Sequence, residues 1–181
     1  MYIIYLPGNS PNNKVWIEEV KERFDGFASG EILYYIHWDT GEEWADIPKE
    51  SVNLQKLIGD TKDYVVFAKS IGSIIALKNI YEKTISPKKL IICGLPYLTA
   101  KASGYEIDKY LEELHVETIF IQNEFDPLAG YEDVRKIVEE KVKVDCKVIN
   151  EVGIDSHSYR NWELLIETAE KFFKTEITKT N

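Results

Sequence analysis

The stretch YVVFAKSIGSIIAL, residues 64–77, changes its pattern abruptly half-way along. Tyr64 to Phe67 are apolar at consecutive positions, which is how a strand covered on both faces reads. From Ile71 to Ile80 the chain is apolar nearly all round, as a deeply buried helix would be. Little more than Ala68, Lys69 and Ser70 separates the two, so strand must turn into helix within a few residues. Small residues at positions 68 and 72 make so sharp a turn feasible, because there the chain passes close to neighbouring backbone. A serine at the apex exposes its hydroxyl at the sheet's edge. The N–H of Ile71, at the positive end of the following helix, then points to where negative charge would develop. The competing reading makes Ser70 a plain helix N-cap, and Ser73 reads as small-residue packing in the helix.

Working outward, five more short apolar runs alternate with helix-like segments: Tyr2–Leu6, Ile32–Trp38, Leu90–Cys93, Thr118–Gln122 and Cys146–Ile149. Ser10-Pro11 opens the first helix, on which Trp16, Ile17, Val20 and Phe24 form one stripe before Asp25-Gly26 ends it. Val134, Ile137 and Val138 mark another stripe. Trp162, Leu165, Ile166, Ala169, Phe172 and Phe173 mark the last. Strand alternating with helix predicts an α/β three-layer sandwich, with a mostly parallel six-stranded sheet and helices on both faces. Residues 1–181 carry no linker or repeat and read as one domain. In such a sheet, chemistry belongs at the carboxyl ends of the strands.

Composition narrows the partners. With 22 basic against 31 acidic side chains and a net charge of −9, a basic face for nucleic acid is not expected. The opening MYIIYLPGNS lacks the basic start and apolar core of a secretory signal. No stretch approaches the roughly 18 apolar residues of a membrane span. Cys93 and Cys146 fall in separate apolar runs, which predicts buried free thiols and a cytoplasmic setting. Three histidines and no Cys-x-x-Cys pair predict no metal and no cofactor.

A serine hydroxyl needs a neighbouring base, ordinarily an imidazole held in one tautomer by a carboxylate. With an elbow serine, the chain order is serine, acid, histidine. Asp126 lies in the loop after the fifth run, fixed by Pro127, with Glu124 and Asp155 as rival acids. His157 follows the sixth run and precedes the last helix. His37 lies inside the second run and His115 at a helix end, and both read as structural. After the first run, Leu6-Pro7-Gly8-Asn9-Ser10 enters a helix N-terminus, making the Asn9 N–H a candidate second oxyanion donor beside that of Ile71. Trp38, and Trp44 with the acidic Glu42, Glu43 and Asp46, are candidates to line the substrate cleft. The alternative sets Trp44 in the core as a loop anchor and leaves the acids solvated. The excursion from Gly94 to Val116 has room for one helix and its loops, and not for a large lid.

In element order and in these four loops, the chain resembles the small, lidless serine hydrolases of the α/β-hydrolase superfamily. The resemblance implies sheet order 2-1-3-4-5-6, with Ser70 as nucleophile, His157 as base, Asp126 as the acid, and the N–H groups of Asn9 and Ile71 as the oxyanion hole. It further implies hydrolysis of a small-molecule ester, thioester or similar acyl bond through a Ser70 acyl-enzyme. Ala68 stands where the elbow usually has glycine, and Pro7 where a histidine commonly precedes the loop glycine. The first strand resembles the third of larger members, so a minimal sheet is implied. Two other readings remain: a catalytically inactive binding or interaction protein on the same scaffold, and a flavodoxin-like nucleotide binder, for which Gly8 alone supplies no glycine-rich phosphate loop.

Overall fold

In the computed structural model, which describes residues 1–175, the chain runs β1 (Tyr2–Leu6), α1 (Asn12–Phe24), β2 (Ser29–Ile32), α2 (His37–Thr40), α3 (Ile47–Ile58), β3 (Tyr64–Lys69) and α4 (Ile71–Tyr81). It continues with β4 (Lys89–Cys93), α5 (Tyr97–Ala102), α6 (Ile107–Glu112), β5 (Glu117–Asn123), α7 (Tyr131–Lys141), β6 (Cys146–Glu151) and α8 (Trp162–Lys174). The strands form one six-stranded sheet in the order β2-β1-β3-β4-β5-β6, the order the resemblance implies; every pair is parallel, where a mostly parallel sheet is the expectation.

The pleat sorts side chains between two cores. Ile4, Leu6, Val66, Ala68, Ile92 and Phe120 face one way, beneath α3, α4, α6 and α7. Ile3, Tyr5, Val65, Phe67, Ile91 and Ile121 face the other, beneath α1 and α8. Both faces are covered, which explains why the central strands read as unbroken apolar runs. Lys89, almost fully buried, donates to the carbonyls of Phe172 and Thr175 and so closes the free C-terminal end of α8.

Two elements depart from the sequence reading. The second strand is the polar Ser29–Ile32, not the apolar run 32–38. It lies at the sheet's edge, where only the contact side demands fit. At Gly30 an added Cβ would fall 2.1 Å from the Ile3 carbonyl oxygen, so the two strands meet too closely there for a side chain. Leu33 and Tyr35 are buried as loop residues on the first core, and His37 opens α2 instead of lying in a strand. The 94–116 excursion holds two short helices, α5 and α6, instead of one. Both cysteines are free, Cys93 buried and Cys146 half-buried. Among the described residues, no helix is long and apolar enough to cross a membrane.

Candidate active site

β3 delivers Ser70 to the turn that starts α4. Ser70 has φ 51° and ψ −121°, a left-handed conformation that non-glycine residues rarely adopt. The surroundings hold it there. Its N–H donates to the Cys93 carbonyl at 3.2 Å, and Gly72 presses on the end of β1. A Cβ at Gly72 would lie 2.4 Å from the Leu6 carbonyl oxygen and 2.7 Å from that of Pro7. The turn, α4 and the loop after β1 are thereby locked in one close-packed unit.

The loops after β5 and β6 bring Asp126 and His157 together. The Asp126 side chain is fully buried, and His157 Nδ1 lies 2.7 Å from its Oδ2. Two further donors serve the same carboxylate: the Leu128 N–H on Oδ1 at 2.9 Å, and the Tyr159 hydroxyl on Oδ2 at 2.6 Å. The carboxylate accepts only, so Nδ1 carries the imidazole proton and Nε2 is left as the acceptor. That Nε2 is buried and has no partner among the described residues. Glu124 instead receives the Gly153 N–H at 2.7 Å, tying down the turn after β6, and Asp155 is exposed.

Gly94, at φ 68°, joins these two halves. A Cβ there would meet His157 Cε1 at 2.9 Å and Tyr159 Cε2 at 2.5 Å. The neighbouring residue, Cys93, holds the Ser70 N–H. Serine and imidazole therefore flank the same dipeptide at the end of β4. Ser70 Oγ makes no hydrogen bond to Nε2 among the described residues, and a contact of this type commonly tightens only around a substrate.

Asn9, Ser70 and Ile71 share the wall of a cavity of about 320 Å³, whose other lining includes Trp44, Ile74, Pro96, Ala100, Tyr105 and Leu128. The N–H groups of Asn9 and Ile71 have no acceptor among the described residues. Trp44 is 60% exposed, so it is not anchored in the core; it stands at the cavity. Glu42, Glu43 and Asp46 are absent from the lining, Asp46 instead capping α3 through the Lys49 N–H. Trp38 is also absent from it, its indole N–H donating to the Asn9 carbonyl at 2.7 Å.

No family model and no curated protein matches the sequence. Solved structures do match, over nearly the whole chain. An uncharacterized protein from Bacillus cereus ATCC 10987 matches with TM-score 0.72 and 18% identity over 96% of this chain, which spans 59% of that longer one. Est1E from Butyrivibrio proteoclasticus, seen with ferulic acid bound, matches with TM-score 0.71 and 15% identity over 94% of this chain and 87% of its own. The RedJ thioesterase from the prodiginine biosynthetic pathway in Streptomyces coelicolor matches with TM-score 0.68 and 12% identity, over 94% and 89% of the two chains. The chain has the α/β-hydrolase fold.

On this α/β-hydrolase fold, three residues at the site escaped the sequence reading. Tyr159 is fully buried, and burial above all, with the nearby Cys93 and Asp126, raises its phenol far above the ordinary value, so it stays a donor. Gly94 carries no local signature beyond its place after a strand. Lys69, beside the serine, is buried, with Nζ 2.9 Å from Asn13 Oδ1 and 5.4 Å from the Trp16 ring centroid. Burial also raises the Cys93 thiol, so the sulfur nearest Ser70 stays un-ionised. Among the described residues, no group of three or more His, Cys, Asp or Glu side chains is placed to share a metal ion.

Lys69 gives a pH-dependent signature. Burial lowers its ammonium pKa below the ordinary 10.5, with Cys93 and Asp126 opposing the shift. Between the folded and unfolded values the unfolded chain binds more protons, so this group makes stability rise with pH. Lys69→Met removes that contribution. The Tm of the variant minus that of the parent is therefore expected to be highest at neutral pH and to shrink as pH climbs toward 10.5. Thermal melts of both proteins across that range check it, and a difference that stays flat would refute the burial argument.

Proposed function

We propose that this chain is a serine hydrolase that cleaves an ester, thioester or similar acyl bond through an acyl-enzyme on Ser70. The proposal rests above all on the Asp126–His157 hydrogen bond, which leaves Nε2 buried and without a partner among the described residues, on the ring beside the strained serine's loop. Ser70 Oγ attacks the acyl carbonyl while Nε2 takes the hydroxyl proton. The carbonyl oxygen becomes an oxyanion, which the N–H groups of Asn9 and Ile71 stabilise. His157 then returns the proton to the leaving alkoxide or thiolate. Water, activated by the same ring, releases the acid and regenerates Ser70. Asp126 keeps the ring oriented and balances its charge without taking the proton itself. Tyr159 and the Leu128 N–H keep the carboxylate facing the ring.

The neighbours' names support the acyl chemistry, since one is a thioesterase and another binds ferulic acid. The cavity supports the substrate class. Its volume of about 320 Å³ lies at the small end of the roughly 300–1,000 Å³ typical of ligand pockets. Among the described residues no charged side chain lines it, so an uncharged, apolar acyl group of modest size fits, with no preference for cations.

Treatment with a fluorophosphonate, digestion and peptide mass mapping test the reading. A single adduct on Ser70 is expected. A folded protein that takes up no label would reject the enzyme and favour a binding protein on the same scaffold.

A further inference from the structure

We propose that His37 and Trp38 act as positioning residues, clamping Asn9 so that its N–H is held toward the oxyanion. The chemical consequence rests on the serine-hydrolase reading; the clamp itself does not. The loop after β1 has little of its own to hold it, since Pro7 has no N–H and Gly8 no side chain. The restraint comes from outside. His37 Nε2 lies 2.8 Å and Trp38 Nε1 2.7 Å from the Asn9 carbonyl oxygen, so two rigid rings grip one acceptor. The Asn9 side chain is held as well, Nδ2 donating to the Glu43 carbonyl at 2.8 Å and Oδ1 accepting the Ala45 N–H at 2.9 Å. Carbonyl and side chain are thus both fixed, and the N–H alone is left without an acceptor among the described residues.

The clamp is anchored in turn. Glu50, almost fully buried, accepts the Ile36 N–H at 2.9 Å, and Tyr35 donates its hydroxyl to the Pro7 carbonyl at 2.8 Å. His37 is buried with its ring stacked on Tyr35, centroids 5.7 Å apart. A carbonyl accepts only, so Nε2 must carry the proton, and Nδ1 is left buried with no partner among the described residues. An unsatisfied buried nitrogen is a cost that packing alone would avoid with an apolar side chain. The ring's donated hydrogen bond to Asn9 accounts for a histidine there. Trp44 and Ala45, on the same segment, line the cavity. One piece of chain therefore walls the acyl group and sets the oxyanion donor.

Trp38→Phe and His37→Leu remove the ring N–H groups while keeping apolar bulk, and His37→Gln restores a donor. Losing an oxyanion donor costs about 10²–10³ in kcat, so the double variant is expected to lose about that much, each single variant less. KM on a short p-nitrophenyl ester should stay within about two-fold of the parent, because uniform binding is untouched, and His37→Gln should recover most of the kcat lost in His37→Leu. A merely structural role would lower Tm without this split. The Asn9 backbone amide order parameter, measured by ¹⁵N relaxation, reads the clamp without any activity. It should fall from about 0.85 toward 0.6 in the double variant. An unchanged order parameter, or a raised KM with kcat intact, would overturn the clamp. If the parent hydrolyses nothing, the function proposed above fails, while the order parameter still decides this proposal.

Discussion

Asp126→Asn is expected to lower kcat by about 10⁴-fold while the protein stays folded. The asparagine amide has nearly the shape of the carboxylate, and its oxygen can still accept the Leu128 N–H or the Tyr159 hydroxyl, which now reach Asp126 at 2.9 and 2.6 Å. The loss is therefore one of proton bookkeeping, not of packing. A carboxylate can only accept, so it forces the imidazole proton onto Nδ1. An amide can present an N–H there instead, which shifts the proton to Nε2 and leaves nothing to receive the Ser70 hydroxyl proton. Ser70→Ala should be at least as damaged, retaining only the roughly 10³–10⁴ over water that oxyanion hole and binding supply. Because the residues act as one unit, the double variant should be little worse than Ser70→Ala alone. Steady-state kinetics on a short p-nitrophenyl ester, with circular dichroism to establish folding, measures all three. A folded Asp126→Asn protein with kcat within ten-fold of the parent would remove Asp126 from the mechanism.

The sequence was most legible where burial leaves few choices. β3 and α4 could be read because a strand covered on both faces and a helix buried nearly all round admit only apolar side chains. β2 could not. At the sheet's edge, Ser29–Ile32 needs only a flat approach to β1, which Gly30 provides, while the next apolar residues pack as loop. Their hydrophobicity was real, but it recorded contact with the core, not membership of the sheet. In the site, residues following strands drew attention to Ser70, Asp126, His157 and Asn9, because a parallel sheet gathers its carboxyl ends on one edge. What local pattern could not show was who fixes whom. Tyr159 reaches Asp126 across 33 residues, and Trp38 reaches Asn9 across 29. Trp38 thus read as a cleft aromatic when its polar atom is spent on backbone. Gly94 carries no signature beyond a turn, since what forbids a side chain there comes from the distant residues 157 and 159.

Gly72→Ala is the substitution expected to damage both stability and activity, although it adds one methyl group. The new Cβ would sit 2.4 Å from the Leu6 carbonyl oxygen, 2.8 Å from its carbon and 2.7 Å from the Pro7 carbonyl oxygen. All three are backbone atoms and cannot rotate away. Leu6 is itself buried and paired with Ala68 of β3, so β1 cannot yield without disturbing the centre of the sheet. Either α4 lifts off, carrying the Ile71 N–H with it, or the Pro7–Asn9 loop shifts and takes the Asn9 N–H. Overpacking of this kind costs about 1–3 kcal/mol and occasionally more. With immobile backbone as the obstacle, the upper figure is expected, which in a chain of this length lowers Tm by roughly 6–12 °C. Because both escape routes move one of the two N–H groups proposed as oxyanion donors, kcat in the folded fraction should also fall by about 10²–10³. Gly26→Ala is the control, since nothing lies within 4 Å of a Cβ there, and it should stay within about 0.5 kcal/mol of the parent. Thermal melts and esterase kinetics on the two variants decide the matter. A Gly72→Ala protein as stable and as active as Gly26→Ala would mean that α4 and the end of β1 are not in close contact, and the account of how the serine's turn is held would have to be abandoned.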